Sequence, residues 1–97
     1  MWIRLGTFLV RPGSLQTLRT VYYRDCAPLV RAASGNMDCF LMESASEGEH
    51  CAVCTMWATR EDARRYEASG AAMQIVEMVR SFFASPPVLE SFWVSRS

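Results

Sequence analysis

The apolar positions of the chain fall into four short segments with the period of β-strands and two longer segments with the period of helices. The first strand segment, residues 2–10, is apolar on both alternating sides and ends at the turn signal Arg11-Pro12-Gly13. A strand with one solvated face alternates apolar with polar residues, so we expect this strand to be covered on both faces. The predicted strands are residues 2–10, 37–43, 50–57 and 88–94.

The first predicted helix begins after Ser14, a residue type favoured at the N-cap. Its apolar stripe comprises Leu15, Leu18, Tyr22, Cys26 and Leu29. Pro28 has no N–H and clashes with the carbonyl four residues earlier, which predicts a kink or a restart of the helix near that point. Gly35, within the segment 34–36, is expected to end the helix as a left-handed cap.

The second helix is predicted to begin at a sequence resembling a capping box, formed by Thr59 and Asp62. It runs through Ala63 and Tyr66 and is interrupted at Ser69-Gly70. A further apolar stripe continues beyond the interruption, at Ala72, Ile75, Val76, Val79 and Phe83. The polar residues 44–49, between the second and third strands, predict a hairpin loop.

The order of these elements, β-α-β-β-α-β, predicts an α+β, ferredoxin-like fold that occupies residues 1–97 as a single domain. In this fold a four-stranded antiparallel sheet carries its helices on one face. We expect Trp57 and Thr55 on the helix-covered face, with Met56 and Cys54 on the other. Because the other face is also apolar, a second copy of the chain is expected to cover it, which predicts a homodimer with the two sheets packed face to face.

Composition supports a small protein that associates with itself. Hydrophobic residues make up 51% of the 97-residue chain, which is more apolar surface than a monomer of this size easily buries. The basic residues are all Arg and are balanced by acidic ones, so the net charge of zero argues against a nucleic-acid or anionic-membrane partner. Residues 1–10 lack the order of a signal peptide and no apolar run is long enough to span a membrane, so we expect a cytoplasmic location with free thiols.

The sequence gives little support for a metal site or for a catalytic nucleophile paired with a base. Cys51 and Cys54 have C-x-x-C spacing, but residues three apart on a strand point to opposite faces, so neither a metal site nor a redox pair is expected. His50 is the single histidine and lies where the hairpin loop enters the third strand. Any Ser/His or Cys/His catalytic pair would need this residue as its base, and the isolated glycines form no phosphate-binding loop.

Aromatic residues are the remaining candidates for a site, because several lie on elements that meet between the sheet and the helices. Ordinary core packing accounts for any one of them. An apolar cavity with a few Tyr or Trp donors would instead suit a flat, aromatic small molecule. The candidates are Phe8, Tyr22, Tyr23, Phe40, Trp57, Tyr66 and Phe83.

Three segments together resemble the antibiotic biosynthesis monooxygenase family, whose members are small dimeric α+β barrel proteins. They are the opening strand that ends in Arg11-Pro12-Gly13, the segment from Ala27-Pro28 to Gly35, and the segment Met56-Trp57-Ala58-Thr59-Arg60-Glu61 that leads to Tyr66 and Ser69. The last of these is similar to the family's Trp-x-Ser-x-Glu stretch, which is followed by an aromatic residue and then Ser. The resemblance extends over nearly the whole chain.

The resemblance implies a homodimeric barrel whose pocket oxidises a small quinol- or anthrone-like aromatic with O₂, without a metal or another cofactor. It implies catalytic roles for Trp57, which would wall the pocket, and Tyr66, which would hydrogen-bond the substrate. Contacts to the substrate are expected from Phe8, Tyr22, Tyr23, Phe40 and Phe83. Heme-degrading members carry a His where this chain has Val76, so heme degradation is not expected.

Two further functions are compatible with the predicted fold. A non-catalytic homodimer that binds or senses a small molecule is the alternative to an oxygenase, because anthrone oxygenases carry an Asn at the position of Val53. RNA-recognition domains share the β-α-β-β-α-β order, but they display Gly, basic and aromatic residues on the third strand. The corresponding segment here, His50–Trp57, has neither Gly nor a basic residue beyond its His, so RNA binding is not expected.

Overall fold

Four strands pair in a single antiparallel sheet in the computed structural model, which describes residues 1–95. The strands are β1 (Trp2–Leu9), β2 (Asn36–Glu43), β3 (His50–Trp57) and β4 (Val88–Trp93). Their order across the sheet, β2-β3-β1-β4, is that of a ferredoxin-like fold, so the predicted fold class is confirmed. Residues 96–97 of the predicted domain lie outside the described residues.

The register of the two central strands divides the side chains between the two faces. Trp2 pairs with Trp57, Arg4 with Thr55 and Phe8 with Cys51. Because side chains alternate along a strand, these residues lie on the face that the helices cover. Cys54, three residues after Cys51, lies on the opposite face, as the spacing predicts.

The first helical segment changes its winding just before Pro28. Helix α1 (Leu15–Val21) is followed by a π-helical turn (Tyr22–Cys26) and then by α2 (Ala27–Arg31). Because Pro28 has no N–H to donate and crowds the carbonyl four residues back, the chain widens, and the Ala27 N–H donates to the Tyr22 carbonyl, five residues earlier. The predicted restart near Pro28 is confirmed, and the extra residue in the turn orients the Tyr22 and Tyr23 side chains.

The second helical segment is divided as the sequence predicts. Helix α3 (Arg60–Ala68) begins at Thr59, whose Oγ1 accepts a hydrogen bond from the Asp62 N–H. Gly70, in the left-handed conformation, separates α3 from α4 (Ala71–Val79), which continues into a 3₁₀ turn (Arg80–Phe82). No helix of the described residues is long and apolar enough to cross a membrane.

The core lies between the helices and one face of the sheet. Leu18, Tyr22, Cys26, Val30 and Trp57 are almost inaccessible to solvent, and no polar or charged residue in the described range is fully buried. Large apolar residues remain exposed on the other face of the sheet, including Leu9, Met42, Val88 and Phe92. The helices therefore cover only one of the two apolar faces, as predicted.

Replacing Gly35 with Ala is expected to destabilise the fold more than replacing Gly70 with Ala. Both glycines have left-handed φ, +83° and +86°, so each substitution carries a backbone cost of about 1–2 kcal/mol. A Cβ at Gly35 would also overlap the side chain of Asp62, whereas nothing lies within 4 Å of a Cβ at Gly70. Such overpacking costs about 1–3 kcal/mol more. Equal free energies of unfolding for the two variants in urea would contradict this packing of the turn on α3.

Candidate functional site

A cavity of about 500 Å³ separates the helix-covered face of the sheet from α3 and α4. Its floor consists of β1 and β3 side chains, and its roof consists largely of α4 residues. Gly6 lies in the floor, where the missing side chain leaves room that a larger residue would take. This cavity is partly open to solvent and mostly apolar, which makes it the candidate ligand site of the domain.

Two aromatic pairs form the walls of the cavity. The rings of Trp57 and Tyr66 lie 4.9 Å apart with 38° between their planes. The rings of Phe8 and Phe83 lie 4.3 Å apart with 42° between their planes. The Trp57 Nε1–H donates to Thr55 Oγ1 at 2.9 Å, which fixes the orientation of the indole. Trp57 and Phe8 are themselves almost fully buried, so Tyr66 and Phe83 present most of the aromatic surface available to a flat, apolar ring.

Five of the seven sequence-predicted aromatic residues line this cavity. They are Phe8, Tyr22, Trp57, Tyr66 and Phe83. They come from β1, the π-helical turn, β3, α3 and the segment after the 3₁₀ turn, so the fold brings together residues that are up to 75 positions apart, the separation of Phe8 and Phe83.

The structure places Tyr23 and Phe40 outside the cavity. Tyr23 follows Tyr22 in a helical turn and therefore points in a different direction, and its hydroxyl accepts a hydrogen bond from the Leu41 N–H at 3.0 Å. Phe40 lies between Cys39 and Leu41, both of which are buried under the helices, so alternation directs Phe40 to the open face of the sheet. The structure therefore does not bring Tyr23 and Phe40 together with the other five aromatic residues in this cavity.

Burial keeps the two tyrosines of the cavity in their neutral form. Burial, and next the neighbouring Cys39 thiol, raise the pKa of Tyr22, whose hydroxyl is buried without a hydrogen-bond partner. Burial raises the pKa of Tyr66 to about 12. Both phenols therefore hold their protons at neutral pH and can donate hydrogen bonds but cannot serve as bases.

One end of the cavity carries charged residues that the sequence reasoning missed. Arg4 lies on the inward side of β1, and its Nε is 3.3 Å from Glu67 Oε1. Its Nη1 also donates to Ser91 Oγ at 3.1 Å. Thr55, the cross-strand partner of Arg4, lines the same end. A single charged residue on the otherwise apolar inward side of β1 was the signal that could have identified this cluster.

A second, more open cavity of about 470 Å³ adjoins the first. It shares Val76, Arg80, Phe83 and Pro87 with the first cavity and extends towards Arg11. His50 is placed at the hairpin, 3.6 Å from Glu47, and does not line either cavity. Within residues 1–95, no cluster of three or more His, Cys, Asp or Glu side chains is arranged to hold a metal ion.

The stability of the protein is expected to fall between about pH 10 and pH 12, and less steeply in a Tyr66→Phe variant. Unfolded tyrosine ionises near pH 10, whereas the folded protein holds the Tyr66 proton up to about pH 12. The unfolded chain therefore loses this proton first, so unfolding becomes more favourable as the pH rises through this range. Urea denaturation at several pH values tests this, with the exposed Tyr23→Phe as the control. Identical pH slopes for the wild type and Tyr66→Phe would contradict it.

Comparisons with known proteins identify the family. The family model described as antibiotic biosynthesis monooxygenase matches residues 1–78. A search of curated proteins found no match.

Solved structures of similar fold include an antibiotic biosynthesis monooxygenase family protein from Bordetella bronchiseptica, with a TM-score of 0.81, 19% identity and coverage of 98% of this chain and 97% of that one. One from Deinococcus radiodurans has a TM-score of 0.81, 15% identity and coverage of 100% and 95%. SnoaB from Streptomyces nogalater, described as a cofactor-independent oxygenase, has a TM-score of 0.79, 14% identity and coverage of 99% and 94%. The TM-scores show the shared fold, and the family match over most of the chain establishes membership: this protein belongs to the antibiotic biosynthesis monooxygenase family.

Proposed function

We propose that this protein is a cofactor-independent monooxygenase that oxidises a small quinol- or anthrone-like aromatic with O₂. The observation that carries the proposal is the cavity of about 500 Å³, which is walled by the Trp57–Tyr66 and Phe8–Phe83 ring pairs and has hydrogen-bonding groups at one end. SnoaB, described as a cofactor-independent oxygenase, shares the fold. The family match adds support for oxidative chemistry.

The dimensions of the cavity suit a substrate of fused or substituted rings. Arg4 and Phe8 are four residues apart on β1, which corresponds to about 13 Å along a strand. The polar end near Arg4 and Thr55 would receive a phenolic hydroxyl, and the apolar end near Phe8 would contact the far ring. Tyr66 would donate a hydrogen bond to the substrate oxygen, and Trp57 would pack against its ring.

The chemistry that we propose needs no electron source beyond the substrate. An ionised quinol or anthrone supplies all four electrons that reduce O₂; one oxygen atom enters the substrate, and the other leaves as water with two protons of substrate origin. The protein's contribution would be to bind the ring, exclude bulk water and stabilise the anion by proximity and electrostatics.

We further propose that the functional unit is a cytoplasmic homodimer, with the open faces of the two sheets packed together. Leu9 and Phe92 on this face are 49% and 44% exposed, and burial of such surface contributes about 25 cal/mol per Å². Two-fold dimers are the commonest oligomers and bring the same face of both copies together. All four cysteines are free thiols, which suits a reducing compartment.

Filling the cavity is expected to abolish oxygen uptake. Ala72 lines the cavity from α4, so Ala72→Phe would place a ring where the substrate binds. Gln74 lies on the same helix, is exposed and does not line the cavity, so Gln74→Phe is the matched control. Oxygen consumption is measured for a panel of hydroquinones and anthrones, and only Ala72→Phe should lose both turnover and the rise in Tm caused by the substrate.

Wild-type protein that consumes no O₂ above the protein-free rate would overturn the oxygenase proposal. If the same compounds then raise the Tm of the wild type without being converted, and fail to do so for Ala72→Phe, the result favours the non-catalytic binding homodimer.

Introducing a charge on the open face is expected to dissociate the dimer. Phe92→Glu would bury a carboxylate between the two sheets, which is strongly unfavourable without a partner. Leu29→Glu changes an apolar residue of the helical layer that is exposed to a similar degree, 51%, and serves as the control. Light scattering should give the mass of two 11.0 kDa chains for the wild type and for Leu29→Glu, and of one chain for Phe92→Glu. A wild-type mass of 11.0 kDa would refute the dimer.

A further inference from the structure

The proposed function places the substrate's hydroxyl at the polar end of the cavity but assigns no role to the ion pair between Arg4 and Glu67 found there. Arg4 and Glu67 form an ion pair at 3.3 Å, with side chains 34% and 38% exposed, so the pair is partly shielded from water. It lies beside the residues with proposed catalytic roles, because Glu67 follows Tyr66 in the chain and Arg4 is the cross-strand partner of Thr55, which binds the Trp57 indole. The polar groups therefore converge where the substrate's hydroxyl would lie.

The location of Arg4 indicates a role beyond stability. It occupies an inward-facing position of a central strand, between Trp2 and Gly6 on the same side. A charge is costly at such a position unless it is paired, and a partly exposed ion pair stabilises a protein only slightly. The guanidinium is held in place by Glu67 and by Ser91 Oγ, so it is oriented before any ligand binds.

A proton acceptor for the reaction has to be a group that lines the cavity. The two tyrosines that do so hold their protons, because burial raises the pKa of each. The guanidinium groups of Arg4 and Arg80 offer hydrogen-bond donors and no acceptor. His50 lies at the hairpin, outside the cavity. Among the described residues that line the cavity, Glu67 carries the only carboxylate.

We propose that Glu67 is the proton acceptor of this reaction and that Arg4 holds the resulting substrate anion. This inference rests on the proposed function. The O–H bond of the substrate breaks, its electron pair stays on the substrate oxygen, and the proton bonds to a carboxylate oxygen of Glu67. The anion then supplies electrons to O₂, the oxidant.

The proposed proton transfer conserves charge at the polar end of the cavity. Before the transfer, the Arg4 cation faces the Glu67 carboxylate; afterwards it faces the substrate anion, and Glu67 is a neutral acid. The net charge at this partly exposed end of the cavity does not change, so the step leaves no charge without a partner. The same cation is partner to both anions, which requires only a small movement of the guanidinium between them.

Substrate acidity provides the kinetic test. One quinol with a pKa well above the assay pH is compared with an analogue that is already ionised at that pH, and oxygen uptake is measured to separate kcat from KM. Glu67→Gln should lower kcat about 10²–10⁴-fold for the protonated substrate, the usual contribution of a general base, and leave the ionised analogue near the wild-type rate. Arg4→Gln should raise KM for the ionised analogue. An equal loss for both substrates in Glu67→Gln would overturn the assignment and indicate a structural role.

Glu77→Gln is the matched control for these variants. Glu77 also pairs with an arginine, Arg80, at 2.7 Å, but it is 58% exposed and does not line the cavity. Removing this carboxylate should leave kcat unchanged for both substrates. A loss of kcat like that of Glu67→Gln would show that any lost ion pair near the cavity has the same effect.

A binding measurement tests the inference without turnover, and so separates its failure from that of the oxygenase proposal. A nitrophenol changes its absorption when it ionises, and its apparent pKa can be measured on the protein under nitrogen. The wild type should lower that pKa by about one unit or more, because a cation stabilises the phenolate. Arg4→Gln should abolish the shift. Glu67→Gln lacks the carboxylate that would take up the phenol's proton. In this variant, ionisation of the bound phenol should therefore release a proton to the buffer. An unshifted nitrophenol on the wild type would refute the role of Arg4.

Discussion

Backbone hydrogen bonds between β1 and β3 hold Trp2 opposite Trp57 and Phe8 opposite Cys51, and this register decides which side chains face the helices. A shift by one residue would exchange the two faces of each strand. Both faces of these strands are largely apolar, so burial of apolar side chains alone does not favour the observed register over the shifted one. It would move Arg4 out of the cavity and remove the indole of Trp57 from its wall. The helices, the cavity and the open face all depend on this one pairing.

The cavity exists because the helical layer does not fill the space above the sheet. The π-helical turn before Pro28 and the break at Gly70 set the directions of the helical segments. Gly6 has no side chain to occupy space above the sheet at the cavity floor. Tyr22 and Trp57 are packed almost completely in the core at the border of the cavity, and the partly buried Tyr66 and Phe83 face the remaining space. Arg4, Thr55 and Glu67 lie at one end of the space, and the Phe8–Phe83 ring pair lies at the other, where Arg80 also borders the cavity. This arrangement can orient a ligand that is polar at one end and aromatic at the other.

Much of the site could be predicted from residue types on inward-facing positions. Trp57 and Phe8 follow from the alternation of strands whose inward sides are apolar, and Tyr22 follows from the helical stripe. Tyr23 could not be assigned in the same way, because a π-helical turn changes the angle between successive side chains and only the three-dimensional structure shows where each one points. Glu67 was missed because a carboxylate on a helix surface is ordinarily solvated, and nothing in the chain near it indicates that Arg4 lies opposite.

The sequence by itself determined the order of the elements, the ends of the helices and the apolar character of both sheet faces, because period, capping residues and turn residues act over a few neighbouring positions. The tertiary structure alone decided that a void remains under α4 and that Arg4, Glu67 and Thr55 meet beside Trp57. Those outcomes depend on the distances between elements far apart in the chain, which are set by how whole helices and strands pack. Local patterns carry no information about the space that such packing leaves.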